Sequence, residues 1–523
     1  MSGDLYARRW WTLGVLCLAV TVIGIDNTIL NVALPSIQDH FGATGSQLQW
    51  MVDAYTIVFA GLLLLAGSLG DRYGRRRALT FGLAWFATFS AVAGFANSPE
   101  RLIISRGLMG IGGAFIFPTT LSILTNTFRD ARERARAIGV WAGVSGIGIA
   151  LGPIVGGLLV EHLGWQSVLF INLPICAVAI IATRIVIIDS KNPAESPLDP
   201  IGALLSIVGL GALLFGVIEA PDRGLSAPPV LLGLGVGVLS LALFALWEAT
   251  TPQPMLDVHF FKNPRFSAAS ATITITFFAL FASTFLLTQY FQFVLGYSPL
   301  KAAAMLTPVA LGLMLAAPLA PRFVQKVGTK RVVVAGLSLV AIGMACYGSN
   351  TIMSSFALGF GVRLVYGIGM GITVSPVTES IMGSLPPGRA GVGSAVNDTT
   401  RQTGGALGVA VLGSIFASQY HATFDAARGL PTGVAHSARD SIGTSLQVAR
   451  HLPAGAATQV REVATGAFLS SMRITYLCAV AVVLGAAFVA ARFLPARASE
   501  PAEEQQEHEV VEALALGAEN AAN

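Results

Sequence analysis

Charged residues are scarce in this chain. Only 11% of its 523 residues are Asp, Glu, Lys or Arg, while 54% are hydrophobic, and the mean hydropathy is +0.69. A soluble domain has about 25% charged residues, so the chain lacks the polar surface that such a domain needs. Apolar runs of 18 or more residues recur, and runs of this length predict membrane-spanning helices. The expected class is an all-α protein that crosses the lipid bilayer many times.

Sequence motifs of several other classes are also missing. None of the five lysines follows a glycine, so the chain has no G-x-x-x-x-G-K-[ST] phosphate loop, which excludes an ATP-driven pump of that type. No H-E-x-x-H or G-x-S-x-G sequence occurs, and the histidines are scattered. The four cysteines lie in apolar runs without metal-binding spacing. We therefore predict no enzymatic activity, no metal and no cofactor.

Fourteen apolar runs predict fourteen membrane spans. Positive charge concentrates in alternate short loops, namely DRYGRRR (71–77), RDARERAR (129–136) and RFVQKVGTKR (322–331). Such loops face the cytoplasm, so we predict that both termini are cytoplasmic and that the long connection 418–471 is extracellular. The acidic segment 495–523 is predicted to be a cytoplasmic tail.

The two halves of the chain resemble each other. The sequence RGLMGIGG from Arg106 matches RLVYGIGMG from Arg363, and GIALG from Gly148 matches GGALG from Gly404. Internal repeats of this kind are typical of secondary transporters. The spacing predicts a 6 + 2 + 6 arrangement of helices, with six spans in residues 1–190, two extra spans in 191–266, and six more in 267–494.

Several motifs resemble the major facilitator superfamily. GSLGDRYGRRR (67–77) is similar to the signature between the second and third helices of that family. Four further motifs resemble its fourteen-span drug:proton antiporter branch: IDNTILNVALP, GPIVGG (152–157), GWQSVLFINLPI and RQTGGALGVAV. The resemblance covers about residues 11–494. It implies the major facilitator fold and a multidrug antiporter in a bacterial cell membrane.

The GDRYGRRR loop carries a candidate conformational lock, formed by Asp71, Arg72, Arg75 and Arg76. Glycines permit a tight turn here, and the arginines can bind carboxylates and helix C-termini across the cytoplasmic face. Contacts that form only when the inner side is closed would bias a two-state equilibrium. Charge that merely sets the membrane orientation is the alternative.

Small residues recur in the fifth span as Gly148, Gly152 and Gly156, with Pro153 beside them. Small residues at this spacing let two helices approach closely, and proline bends a helix. The resemblance implies that this element lines the interface between the halves and is associated with export. Packing alone is the alternative.

Asp26 stands in the middle of the apolar run TVIGIDNTILNVALP (21–35). A charge inside the bilayer is costly, so such a residue is a functional hypothesis by default. Arg106 is predicted at a similar depth in the fourth span. We predict that the two residues couple proton binding to conformation, with a purely structural ion pair as the alternative.

Asp53 lies in the second span, and Trp50 falls on the same helical face. A carboxylate beside an indole ring can hold a lipophilic cation, whereas a carboxylate that only reaches the lipid headgroups is the alternative. The ninth span is rich in aromatic residues, and Phe281, Phe285 and Tyr290 are the candidates for an adaptable binding surface. Packing or contact with lipid is the alternative for these rings.

The second half carries a polar cluster formed by Glu379, Asp398 and Arg401. Asp398 and Arg401 are three residues apart and can pair on one helical face. The cluster is predicted to be an inner gate or a second titratable site, with a structural role as the alternative. Arg363 repeats Arg106 but has no evident carboxylate partner in its own half.

The combined prediction is a monomeric, proton-coupled multidrug exporter that moves lipophilic, cationic small molecules by alternating access. Its partners are the small-molecule substrate, protons and the lipid bilayer, with no nucleic acid. A proton-coupled importer shares nearly all of these features. An exporter of an endogenous lipid or metabolite also fits, so both alternatives stay open at this point.

Overall fold

The structure is a computed structural model that describes residues 9–128, 130–190, 198–252, 254, 256–349, 356–384, 390–425 and 438–494. Within these ranges the chain forms helices and no β-strand, and the predicted all-α fold is confirmed. The predicted cytoplasmic tail 495–523 lies outside the described residues.

Six long helices form the first half of the described chain. They are α1 (Arg9–Phe41), α2 (Gly45–Tyr73), α3 (Arg75–Gly94), α4 (Pro99–Thr127), α5 (Ala131–Leu163) and α6 (Ser167–Val186). The starts of α2 and α4 follow from capping: Thr44 forms a capping box with Gln47, and the Ser98 side chain accepts a hydrogen bond from Arg101 N. Helix α1 runs from Arg9 to Phe41, which places Asp26 near its middle.

The two extra helices are α7 (Pro200–Arg223) and α8 (Pro228–Thr250). They pack against each other, and α7 also packs against α2 and the second-half helix α13. Helix α7 therefore touches both halves and covers one of the places where they meet.

The described second half contains six more long helices. They are α9 (Pro264–Val294), α10 (Pro299–Ala316), α11 (Thr329–Tyr347), α12 (Phe356–Met382), α13 (Ala390–Asp425) and α14 (Ala454–Phe493). Helix α9 ends in a π-helical turn over Tyr290–Val294. A short helix, Ala320–Val327, precedes α11.

Helices therefore occupy all fourteen segments predicted as spans, although they differ in polarity. Eleven of the described helices are long and apolar enough to cross a bilayer, and the bent helix α2 makes a twelfth if it is counted as one span. The other two are α3, which opens with three arginines, and α13, which carries Asp398 and Arg401. Polar residues in these two helices lower their apolar content.

The segment 418–471, predicted as a long loop, is largely helical. Helix α13 continues to Asp425, and α14 begins at Ala454. Between them lies the helix Ile442–Arg450, which packs against α14 and α1. Its Gln447 Nε2 donates to the carbonyl oxygen of Gln38 at 3.0 Å, and Arg450 pairs with Asp39 at 3.2 Å. We call Ile442–Arg450 and its contacts with the end of α1 the clasp.

The two halves meet along two seams, one between α2 and α13 and one between α5 and α10. Helices joined by short loops run antiparallel, so the start of α1 and the end of α14 share one face, called here the terminal face. The opposite face is the far face. Hydrogen bonds join the halves toward the far face, from Gln292 Nε2 to Val32 O at 2.9 Å and from Leu300 N to Glu161 Oε2 at 3.2 Å.

Candidate functional site

A buried ion pair joins α1 to α4. Arg106 Nη1 lies 2.6 Å from Asp26 Oδ2, and the two side chains are 2% and 0% exposed. The sequence predicted that these residues lie at one depth, and the structure brings them into direct contact. Neither charge has access to bulk water here, so each depends on the other for its stabilisation.

Neutral groups complete the surroundings of the pair. Arg106 Nε donates to the carbonyl oxygen of Met51 at 3.2 Å, and its guanidinium lies 4.5 Å from the centre of the Tyr55 ring. On the other side, Asn172 Nδ2 donates to Asp26 Oδ1 at 3.2 Å and to Ser90 Oγ at 3.0 Å. The site thus draws on α1, α2, α3, α4 and α6.

We predict that this arrangement links protonation of Asp26 to helix packing. A buried ion pair is held by strong mutual attraction, but either charge left alone costs several kcal/mol. Protonation of Asp26 would remove the counter-ion of Arg106, so the guanidinium would then favour a different arrangement with other acceptors or water. The pair can therefore convert proton binding into a change of conformation. Its role in coupling remains a prediction.

Asp53 has different surroundings. It is 0% exposed, and neither of its carboxylate oxygens has a hydrogen-bond partner among the described residues. Trp50 and Ile57, on the same face of α2, belong to an apolar cluster with Leu214 of α7 and Ala410 of α13. Asp53 therefore faces the seam between α2 and α13.

A partly open cavity lies between the halves. Its walls are mostly apolar and come from α1, α5, α9, α10, α11 and α12. Two asparagines of α1, Asn27 and Asn31, line it, and the Oδ1 atom of each is buried without a hydrogen-bond partner in the described chain. The cavity thus offers apolar surface together with a few free acceptors.

The predicted substrate-binding residues divide between the cavity and other places. Phe281 lines the cavity. Phe285 is buried outside the lining, and Tyr290 packs on Phe468 of α14. Trp50 lies beside Phe215 of α7, also away from the cavity. The structure therefore does not gather the five predicted residues into one pocket.

The GDRYGRRR residues make contacts within the first half. Asp71 Oδ1 accepts from Arg75 Nε at 2.6 Å and from Ser122 Oγ of α4 at 2.7 Å. The backbone N of Arg76 donates to Asp189 Oδ1 at 3.1 Å, whereas the side chain of Arg72 is exposed. Gly74 has φ 120°, which favours glycine at this turn. These contacts do not cross to the second half in this conformation, and the lock remains a prediction.

The glycines of α5 allow close contact with α1. A Cβ atom would lie 3.2 Å from Thr21 O if placed on Gly148, 2.9 Å from Ile25 O on Gly152, and 3.1 Å from Ile29 O on Gly156. Each of these glycines therefore faces α1 within the first half. The neighbouring Pro153 lines the cavity, and a Cβ on Gly157 would lie 2.6 Å from Leu300 Cα of α10. Helix α5 thus packs on α1 with one face and on the second half with another.

Comparison with known proteins gives the family. The Major Facilitator Superfamily model matches residues 16–409. The multidrug efflux pump LfrA of Mycolicibacterium smegmatis is 37% identical over 485 residues, which cover 92% of this chain and 95% of LfrA. The chain belongs to the major facilitator superfamily.

Other members of the superfamily extend the comparison. The tetracenomycin C resistance and export protein of Streptomyces glaucescens is 32% identical over 529 residues, covering 99% of this chain and 97% of that protein. The methyl viologen resistance protein SmvA of Salmonella typhimurium is 31% identical, with coverage of 89% and 94%. The predicted resemblance to drug:proton antiporters of the superfamily is confirmed, and the family and these relatives are transporters rather than enzymes.

A solved member supports the fold. A bacterial homologue of the human lysosomal transporter Spinster, in an inward-facing and unoccupied conformation, matches with a TM-score of 0.64. The match covers 94% of this chain and 99% of that chain at 17% identity, so it bears on the fold alone. This major facilitator chain is therefore a multi-pass membrane protein.

The second half of this major facilitator chain has its own polar residues. Arg401 Nη1 lies 3.9 Å from Asp398 Oδ1, and Nη2 donates to Thr378 Oγ1 at 3.2 Å. Glu379 is exposed and forms no ion pair with Arg401. Two of the three predicted cluster members therefore meet, and the role proposed for them remains a prediction.

Arg363 occupies the position in the repeat that corresponds to Arg106. It is 1% exposed, its guanidinium lies 5.2 Å from the Phe291 ring, and its Nη2 lies 3.7 Å from Met305 Sδ. In the described part of the chain no carboxylate pairs with it. A buried arginine thus occurs at this position in both halves, but among the described residues only Arg106 has a counter-ion.

Proposed function

We propose that this protein exports lipophilic, cationic drugs from a bacterial cell in exchange for protons. The observation that carries the proposal is the buried ion pair of Asp26 and Arg106, whose atoms are 2.6 Å apart. This pair lies in the first half, and the two halves together enclose an apolar cavity. The pair supplies a carboxylate whose proton affects helix packing, and the cavity supplies a surface for apolar molecules of varied shape.

The relatives support the choice of substrate. Their names refer to multidrug efflux, to tetracenomycin C export and to methyl viologen resistance. Methyl viologen is a dication, and a cation in the cavity would meet the amide oxygens of Asn27 and Asn31. Aromatic side chains around the cavity, Phe277, Phe281 and Tyr366, add cation–π attraction.

We also propose that the terminal face is cytoplasmic, because the arginine-rich loop 71–77 lies there. In this orientation the hydrogen bonds of Gln292 and Leu300 join the halves on the extracellular side. The protein would then alternate between this arrangement and one in which these bonds are broken and the cavity opens outward. A single chain contains both halves and the cavity, so we propose that the monomer is the working unit.

Transport into everted membrane vesicles tests the proposal. With an acidic lumen, wild-type protein is expected to accumulate methyl viologen in exchange for protons, and Asp26→Asn is expected to slow this uptake at least about tenfold because the substituted side chain cannot carry the proton. Asp425→Asn, whose carboxylate is 51% exposed, is the matched control and should behave like wild type. Uptake by Asp26→Asn at the wild-type rate would refute proton coupling through this residue.

A further inference from the structure

Three polar residues of α2 share one helical face along the seam with α13. Ser46, Gln49 and Asp53 stand at positions i, i+3 and i+7, and they are 9%, 2% and 0% exposed. At 1.5 Å per residue they extend about 10 Å along the helix. Apolar side chains of α7, Leu214 and Ile218, pack over the seam. A buried polar stripe of this kind needs an explanation, because apolar side chains would pack there at lower cost.

The far end of the stripe reaches an acid–histidine pair. Asp222 Oδ1 of α7 lies 3.7 Å from His421 Nε2 of α13, and Ser46 is close enough to Asp222 for the two side chains to interact. The Asp222 side chain is 34% exposed and that of His421 is 8% exposed. The pair therefore stands between solvent at the far face and the buried stripe.

Other charges face this pair from the elements packed around it. Glu219, one turn before Asp222 on α7, and Asp440, from the segment after α13, act electrostatically on Asp222. Arg223 Nε pairs with Glu219 Oε2 at 2.7 Å. The surroundings of the pair are therefore acidic overall, which favours the entry of a cation such as hydronium.

Several polar atoms along the seam have no hydrogen-bond partner in the described chain. They are Gln49 Oε1, both carboxylate oxygens of Asp53, Ser414 Oγ and both ring nitrogens of His421. Gln49 lies against α13, since a Cβ on Gly413 would be 2.8 Å from its Cδ. Buried polar atoms are normally hydrogen-bonded, and bound water satisfies those that find no protein group. Unsatisfied atoms on both α2 and α13 point to a file of water molecules between the two helices.

We propose that this seam is a proton path that leads from the far face, past the Asp222–His421 pair, to Asp53, separate from the cavity between the halves. The inference rests on the proposed function, in which protons drive transport. A proton would enter from solvent at the pair, pass between water molecules beside Ser46 and Gln49, and end on a carboxylate oxygen of Asp53. The pair returns to its initial protonation state after each transfer, so proton and charge balance. The proposal also explains what helix α7 does: it covers the path and contributes Asp222.

The experiment measures two rates on each purified variant in proteoliposomes. The first is methyl viologen transport driven by a pH gradient, and the second is methyl viologen exchange at equal pH on both sides, which requires no net proton movement. Gln49→Leu interrupts the file, while His421→Leu and Asp222→Asn alter its mouth. Leu214→Met, a buried apolar change in the same seam, is the matched control. We expect driven transport to fall at least about tenfold in the three path variants, with exchange within about twofold of wild type.

Three results would contradict the proposal. Driven transport at the wild-type rate in the path variants would show that protons do not use the seam. An equal fall in both rates would show that these residues have a structural role only. If the buried substitutions prevent folding, the two rates of Asp222→Asn, which changes a partly exposed residue, distinguish a proton path from a structural role. Exchange by wild-type protein with no response to the pH gradient would instead refute the proposed function itself, before any variant is compared.

Discussion

Replacing Arg106 with methionine is expected to destabilise the protein by about 3–5 kcal/mol, because it leaves Asp26 buried without its counter-ion. The structure supports a value in this range: the paired atoms are 2.6 Å apart, and the side chains are 2% and 0% exposed. The only side-chain donor that remains to Asp26 in the described chain is Asn172, at 3.2 Å. Asp26→Asn leaves Arg106 buried without its counter-ion, and we expect it to lower the free energy of unfolding by about 3 kcal/mol.

The double substitution separates the ion pair from simple loss of packing. Asp26→Asn combined with Arg106→Met removes both charges, so no buried charge remains unpaired. We expect it to cost only about 1–2 kcal/mol, which corresponds to the lost hydrogen bond from Arg106 to the Met51 carbonyl and to imperfect packing. The two single effects together exceed the double effect by about 4–7 kcal/mol, which is the expected coupling energy.

The assay is reversible unfolding of the four proteins in mixed micelles, at one pH, with helix content followed by circular dichroism. Additive effects of the two substitutions, within about 0.5 kcal/mol, would refute the interpretation of Asp26 and Arg106 as a mutually stabilised pair. Transport provides the second readout. The double variant should regain stability but not pH-driven export, because neither substituted side chain can bind a proton in the relevant range. Recovery of export together with stability would make the pair purely structural.

Three further predictions follow from other parts of the molecule. Asp71→Asn should slow turnover in a vesicle transport assay more than it weakens equilibrium substrate binding, since Asp71 is remote from the cavity; weaker binding with unchanged turnover would contradict this. Asp53→Ala should reduce pH-driven export of cationic and neutral substrates alike in a substrate panel, because it removes the end point of the proton path; loss of organic cations alone would instead make Asp53 a cation site. Gly156→Leu should lower the thermal stability of the purified protein, because even a Cβ on residue 156 would lie 3.1 Å from Ile29 O. Gly143→Ala should leave the stability unchanged, because a Cβ on residue 143 would have no neighbouring atom within 4 Å. Equal melting temperatures for these two variants would refute the packing argument.

The fold was accessible from the sequence because the bilayer imposes strict rules. Long apolar runs and alternate positive loops predicted the helices, and Asp26 stood out because a charge inside such a run is rare. Asn172, Ser90 and Tyr55, which surround the pair, were missed. Neutral polar residues are common in membrane helices, so their presence in an apolar run does not by itself indicate a functional site. Asn172 lies in the INLP part of a motif already noted, and a search for polar residues within such motifs would have found it.

The binding surface was less accessible because composition does not reveal which face of a buried helix lines a cavity. Helix α9 is packed on most sides, so Phe281 and Phe285 were equivalent in the sequence. Tyr290 starts a π-helical turn that alters the regular spacing of side chains, and it packs against α14 instead. The sequence did not predict the helices within 418–471, because a short helix produces no long apolar run. Ile442–Arg450 has only nine residues and mixes apolar with polar side chains.

The length of α14 has a mechanical consequence. Its 40 residues span about 60 Å, twice the ~30 Å thickness of the hydrocarbon core. The helix can therefore act as a lever: a tilt of about 10° around its midpoint would displace each end by roughly 5 Å, given the 1.5 Å rise per residue. The clasp joins the upper part of this lever to α1, the helix that carries Asp26. Motion at the charged centre would thus reach the far face, and we expect a binder that immobilises the clasp there to slow transport.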